Sequence, residues 1–466
     1  GSGTGTITLT GSAPTIEFAG QNGTISTGRG ITLSPGASNS QYIKGEAIIT
    51  GTVSGGVSTA AFTKLGTGTV ILSGTTTGIT SIVRVGQNGI SETATENVLV
   101  VSALPATNLR LNSGSVLGWN GATFSRSYGT GTGSYYIEDT SGAGGGFLAY
   151  QAGGLTVSGS ITFGTSNTTQ WRGPIYLNSS REPANGRLTF SGNMNVAAVG
   201  ADVYVFDPYG YGGEGSCATI SGIISGTVGS TGAQLRVAGG GTLRLTGNNT
   251  YESDTTIYQG VVEVTTLVND YGPCSLGSSK VAGDGSGVGY AFINFGSASY
   301  GGGIGATLRY IGAATSTNRS MWSYGDATLD ASGTGKVFFS DGVKFKVNDT
   351  GKVLTLTGSN TDDNQLGNMT ADFSNGMALA KTGTGTWYID WSTYATSWTT
   401  RSSATSISQG KLKIRTSPTQ LGAFGSGPVT LGGTLHVWNT VSTNSKVVSV
   451  SSITTSGSSA RIIIGS

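Results

Sequence analysis

A four-residue pattern, Gly-x-Gly-Thr, does most to restrict what this chain can fold into. It occurs in AFTKLGTGTVILSG (61–74), in LRVAGGGTLRLTGNNTY (235–251) and in ALAKTGTGTWYID (378–390). Each copy sets an alternating apolar and polar stretch on either side of the glycines, and Thr69, Thr242 and Thr386 close the three tetrapeptides. Short stretches of period two, split by Gly, Asn or Ser, are strand signals. Longer units surround the pattern. AIITGTVSGG (47–56) matches ATISGIISGTVG (218–229), and TTIYQGVVEV (255–264) matches TSISQGKLKI (405–414). The chain therefore carries degenerate repeats centred near 47–90, 218–264 and 372–415. Helical periodicity is scarce, and Ser, Thr and Gly disfavour helix interiors. The chain is expected to be all-β.

Among all-β layouts, a parallel β-helix, or β-solenoid, fits best. Strand spacing is too irregular for matched propeller blades. Gly and Asn at strand ends permit the left-handed backbone that a coil corner needs. Thr-rich strands stack well on copies of themselves, coil over coil. The expectation is one continuous solenoid over 1–466, with loop or hairpin insertions at 120–155 and 200–216. Only 10% of the residues are charged, against about 25% in ordinary domains, so Ser, Thr, Asn and Gly must cover the surface. Val, Ile, Leu and aromatic residues recur throughout, which argues against disorder.

The three units resemble the autotransporter-associated β-strand repeat, also called the passenger-associated transport repeat, of bacterial autotransporter passengers. The resemblance implies a right-handed parallel β-helix, of bacterial origin and located outside the cell or on its surface. It also implies a role linked to export of the passenger.

Charge and hydropathy exclude other classes. Net charge is +2 with Lys and Arg scattered singly, so there is no basic stripe for nucleic acid. No apolar run approaches the ~18 residues of a membrane helix, and no membrane insertion is expected. The chain does not begin with Met and shows no signal peptide, as expected of a processed chain or one segment of a longer one.

The two ends suggest a partner. The chain opens GSGTGTITLTG and closes ITTSGSSARIIIGS. Joined tail to head, they reproduce the order of an internal unit: strand, Gly/Ser turn, short apolar strand, Gly-Thr-Gly-Thr. An open solenoid end exposes unpaired backbone groups, and a heterologous contact that does not close builds a filament. The expected function is a structural subunit that assembles head to tail with copies of itself. Thr6, Ile7, Thr8 and Leu9 would meet Arg461, Ile462, Ile463 and Ile464 at the junction. The alternative is a monomeric adhesin that binds surface glycans.

Catalysis is not expected. The one histidine, His436, sits between Leu435 and Val437 on an apolar strand, and no Gly-x-Ser-x-Gly is present for a serine triad. The nearest carboxylate pair, Asp362 and Asp363, reads as a solvated turn. A polysaccharide lyase or hydrolase is the third reading. No cofactor or metal is expected, since neither 282–289 nor 360–365 repeats as a calcium array would. Cys217 and Cys274 suit either one disulfide in an oxidising compartment or two buried thiols. Aromatic residues cluster at Tyr204, Phe206, Tyr209 and Tyr211, and again at Trp391, Tyr394 and Trp398. These would stack on sugar rings or fill lateral contacts between solenoids.

Overall fold

A computed structural model describes residues 5–11, 13–19, 25–34, 40–87, 97–112, 114–138, 142–166, 168–196, 199–206, 217–227, 234–278, 292–296, 304–340, 345–347, 351–367, 377–390, 403–416, 427–439, 452–456 and 458–465. Among these residues there are strands and turns but no α-helix. The strands run parallel to their partners, and consecutive strands of the chain lie on different walls. This is a parallel β-solenoid. Its residues group into two compact units. The first holds residues 1–233 with 238–244, and the second holds 234–237 with 245–466.

In the first unit the chain climbs three walls in turn. Ile7–Leu9, Thr15–Phe18 and Ile25–Thr27 make the first described circuit. Ile31–Leu33, Gln41–Gly45 and Ala47–Ile49 stack on them in register. The walls do not persist. The first ends at Gly78–Ile79 and the second at Tyr135–Ile137, while Thr123–Phe124 opens a new one. In the second unit, Thr255–Ile257, Ile293–Phe295, Met321–Ser323 and Phe345–Val347 form one wall. A longer wall runs from Gln259–Val264 to Ile453–Thr455, and another from Thr315–Thr317 to Arg461–Gly465.

The Gly-x-Gly-Thr pattern is a corner. It joins Ala61–Leu65 to Gly68–Leu72, Leu235–Ala238 to Thr242–Leu245, and Ala378–Lys381 to Thr386–Asp390. The first glycine supplies positive φ: +75° at Gly66, +99° at Gly239 and +64° at Gly383, a region closed to most L-residues. The second lets the backbone approach the coil below. A Cβ at Gly385 would stand 2.4 Å from the Asn360 carbonyl oxygen, and one at Gly68 would stand 2.9 Å from that of Gly45. Two corners also carry a buried lysine. Lys64 donates to the Leu65 and Gly66 carbonyls at 3.1 and 2.7 Å and to Asn97 Oδ1 at 3.1 Å. Lys381 donates to the carbonyls of Thr382, Gly383 and Gln409.

Apolar ladders fill the interior. Leu99, Leu117, Phe147 and Leu177 succeed one another in register and are fully buried. Around Phe147 gather Phe124, Tyr135 and Trp171, with ring centroids 5.3 to 6.3 Å apart. Each such side chain removed from water stabilises the coil by about 1.5–3 kcal/mol.

Strands fall within both of the expected insertions. Residues 120–155 contribute Thr123–Phe124, Tyr135–Ile137, Gly145–Ala149 and Leu155–Val157 to parallel ladders, so these parts belong to the coil. In 200–216, Ala201–Val205 is likewise a ladder strand on Ile175–Leu177, and 207–216 lie outside the described residues. Gly and aromatic density suggested a loop there, but the alternation in ADVYV lets it serve as an ordinary rung.

Candidate ligand surface

One wall of the first unit is buried on both faces. Opposite the interior ladder, Val98, Val100, Val116, Leu148 and Tyr176 form a second apolar cluster on the outer side. Small residues make room for it. A Cβ at Gly118 would stand 2.6 Å from Val100 Cγ2, and one at Gly146 would stand 2.5 Å from Tyr176 Cβ.

A strap, residues 178–187, folds over this outer cluster. Asn178 starts it with φ of +72°, and Ser179 Oγ accepts from the Arg181 and Glu182 amides. Arg181 pairs with Glu46, and Glu182 Oε2 accepts from Thr69 Oγ1 at 2.9 Å. Ala184 packs on the cluster, and the Asn185 amide donates to the Ala149 carbonyl at 3.0 Å. Burial pushes the Glu182 carboxyl up, opposed by the Thr69 hydrogen bond and assisted by the nearby Glu46 charge.

Beyond the strap an aromatic row stays partly exposed. Tyr176 pairs with Tyr204 across the ladder, and their rings lie 5.6 Å apart. Phe206 stacks on Tyr204 at 6.1 Å with an 18° tilt. Of the aromatic residues singled out in the sequence, Tyr204 and Phe206 thus come together on the outer face. Tyr209, Tyr211, Trp391, Tyr394 and Trp398 lie outside the described residues.

A second aromatic group, missed from the sequence, lies on the second unit. Trp322 and Tyr324 stack at 5.6 Å with a 14° tilt, and Phe292 meets Trp322 edge-on at 5.1 Å. Beside them Asn294 Nδ2 donates to Asp254 Oδ2 and Thr256 Oγ1. The alternation in MWSY signals outward aromatics, but only coil register brings Phe292 and Asn294 to them.

The proposed junction residues lie on terminal rungs. Ile7–Leu9 is the first strand of its ladder, with Leu9 buried, Ile7 partly covered and Thr6 and Thr8 exposed. Arg461–Gly465 is the last strand of its own. Ile462 and Ile464 continue the interior ladders of Leu435 and Val437, yet they are 42% and 52% exposed. Ile463 follows His436 and, like Arg461, is exposed.

Other candidates fall out of the site. Cys217 and Cys274 are separate buried thiols, so the disulfide reading gives way to the alternative of two free cysteines. Cys274 instead lies within a turn, its Sγ 3.4 Å from the Gly277 carbonyl oxygen and the Leu276 amide. His436 sits between Lys413 and Ile463 in the ladder; burial and then the Lys413 and Lys411 charges pull its pKa down. Asp363 pairs with Lys413 at 2.6 Å. Among the described residues no three His, Cys, Asp or Glu side chains cluster as metal ligands do, and no helix is long and apolar enough to cross a membrane.

The corner, the strands around it and the next rung together make up residues 235–264, and this span matches the Passenger-associated-transport-repeat family. Residues 235–264 are thus similar to a passenger-associated transport repeat. It is also 29% identical over 319 residues to the adhesin BmaC autotransporter of Brucella suis biovar 1 (strain 1330). That alignment takes in 60% of this chain but only 9% of the relative. No solved structure matches. The chain is thus similar to autotransporter passengers and has their place, at the bacterial cell surface or outside the cell.

Proposed function

We propose that this chain is an adhesive segment of a bacterial surface passenger. The solenoid serves as a rigid, non-catalytic scaffold, and ligand contacts are made on its outer faces. The likeness to a surface adhesin carries this reading. The partly exposed row of Tyr204 and Phe206 supports it, because an aromatic ring offers a large contact area with few torsions to fix. Expected partners are surface glycans.

The test is attachment. Beads coated with the purified chain should adhere to host epithelial cells and to immobilised glycans. Beads bearing the Tyr204→Ala/Phe206→Ala variant should adhere less. Equal retention of the wild-type and uncoated beads would refute the adhesin reading.

Head-to-tail assembly is a second reading, favoured by the open rung of Ile462 and Ile464. These side chains point where a further coil would cover them, and the Thr6–Leu9 end offers a matching parallel edge. Electron microscopy of the chain at micromolar concentration should then show filaments that Ile464→Asp abolishes. Single particles at all concentrations would dismiss it.

A further inference from the structure

Charge is spread unevenly along the chain. From residue 391 to residue 466 there are six Lys or Arg and no Asp or Glu, although the whole sequence has 25 of the former against 23 of the latter. A charge asymmetry of this kind points to an anionic partner. In the sequence these cations stand singly, and coil register gathers them on one wall of the second unit. Lys411–Thr416, Thr434–Asn439 and Arg461–Gly465 are consecutive rungs. Lys411, Thr434 and Arg461 form one file, and Lys413, His436 and Ile463 form the next. Leu412, Ile414, Leu435 and Val437 are buried, so the alternation turns Lys411, Lys413, Arg415, His436 and Arg461 to the outer side. Arg461 is exposed and the other four are partly exposed. With a rise of about 3.3 Å per residue and about 4.8 Å between rungs, the five positions lie within a patch of roughly 13 by 10 Å.

Little on this wall neutralises them. Lys413 engages Asp363 at 2.6 Å, and Arg415 engages Asp390 at 3.1 Å. Lys411 and Arg461 pair with no carboxylate among the described residues. The Asp363 side chain is 48% exposed, and an ion pair so open to water is weak enough to exchange for a ligand anion. His436 registers the same field. Burial and then the Lys413 and Lys411 charges lower its pKa, opposed by Asp363. The imidazole is therefore neutral at pH 7 and serves as a hydrogen-bonding group beside the cations.

The two uncompensated cations, Lys411 and Arg461, stand two rungs apart, about 9.5 Å between backbones, with Thr434 on the rung between them. A fitting ligand carries fixed negative charges repeated along a chain, with hydroxyl groups between them. A sulfated polysaccharide has both. A single terminal sialic acid supplies one carboxylate, and a neutral glycan supplies no charge.

We propose that the outer face of Lys411, Lys413, Arg415, His436 and Arg461 binds a sulfated polysaccharide. Sulfate groups meet Lys411 and Arg461, and the sugar hydroxyls between them face Thr434. This inference rests on the adhesin reading and names its glycan class.

The test uses the full chain on immobilised heparin. Dextran is the neutral arm, a sialylated oligosaccharide the singly charged arm, and double-stranded DNA and phosphatidylserine vesicles the phosphate arms. Heparin should bind and weaken with added salt. Lys411→Ala/Arg461→Ala should weaken it by about tenfold or more, and Lys411→Arg should keep it. Arg29→Ala/Lys336→Ala removes two exposed cations elsewhere and should leave it unchanged. A thermal melt of each variant separates loss of the face from loss of fold. Heparin binding that survives Lys411→Ala/Arg461→Ala, or that both double variants weaken equally, overturns the face. Tighter binding to either phosphate arm than to heparin does the same. Cell attachment that persists in well-folded Lys411→Ala/Arg461→Ala would then leave the adhesin reading standing without the face. Heparin binding by a chain that attaches to no cells would keep the face and refute that reading.

Discussion

Replacing Lys64 by Met tests whether the corner lysines hold the solenoid together. Met keeps the length of the stem and removes only the ammonium, whose three acceptors lie 2.7 to 3.1 Å away. A hydrogen bond from a charged donor contributes about 1.5–3 kcal/mol, and an orphaned buried acceptor costs about 1–3 kcal/mol. Against this, the variant no longer desolvates an ammonium, a penalty of several kcal/mol. The balance is a loss of about 2–4 kcal/mol, centred on the coil. Because the chain forms two units, a global midpoint would mix signals. The assay is therefore hydrogen exchange of peptides covering Ala61–Leu65, Gly68–Leu72 and Asn97–Val101. Their opening free energy should fall by that amount while peptides of the second unit are unchanged. Asn97→Leu in the same chain should recover part of the loss, since it removes one orphaned acceptor. A Lys64→Met protein within about 0.5 kcal/mol of the original would refute the reasoning, and the lysine would then be a passenger in its corner.

Lys381 makes a pH prediction, because burial pulls its pKa down to about 8. Between that value and its unfolded value near 10.5 the unfolded chain holds one more proton, so this residue's contribution to stability rises with pH across the window, by about 3 kcal/mol. Urea midpoints of Lys381→Met should lack the rise. Glu138 acts in the opposite direction. Burial alone would raise its pKa, but Arg84, Arg110 and Asn112 together lower it. Its stabilising effect is therefore present above the ordinary glutamate range and lost as pH falls through the lowered value. Glu138→Gln should melt earlier at neutral pH and converge with the original in acid. Arg319 is fully buried and donates to the Val268, Gly272, Leu276 and Gly277 carbonyls at 2.7 to 3.1 Å. Arg319→Met should cost about 3 kcal/mol or more and open 267–278 to limited proteolysis.

The coil was legible in the sequence because its determinants are local. A glycine with positive φ and an alternating strand on each side need no knowledge of distant residues. The lysines show where that logic stops. In AFTKL the alternation sets Lys64 on the face of Phe62, in ladder with the buried Ile43 and Val85, where a charged side chain is not expected. The available signal was the second Lys at the same offset, five residues before Thr386 as Lys64 is before Thr69. The strands inside the expected insertions were hidden for a related reason. Aromatic and Gly-rich stretches look like loops, whereas Tyr135 and Phe147 are core residues whose partners lie a coil away. The strap was invisible because its contacts span more than a hundred residues, from Glu182 to Thr69 and from Arg181 to Glu46.

The same distinction separates scaffold from function. Interior positions of a solenoid are fixed by volume, so Leu, Val and Phe there report only on packing. Outer positions are freer to vary, and many carry Thr, Ser, Asn or a charged residue. An aromatic side chain on an outer position therefore calls for a cover or a ligand. Val98, Val100 and Val116 have a cover in the strap, and this removes them from consideration. Tyr204 with Phe206, and Trp322 with Tyr324, are partly exposed and ring-stacked, hence held rigid. A rigid aromatic surface loses little conformational entropy when a ligand arrives. This is the physical basis for proposing ligand contacts on the outer face.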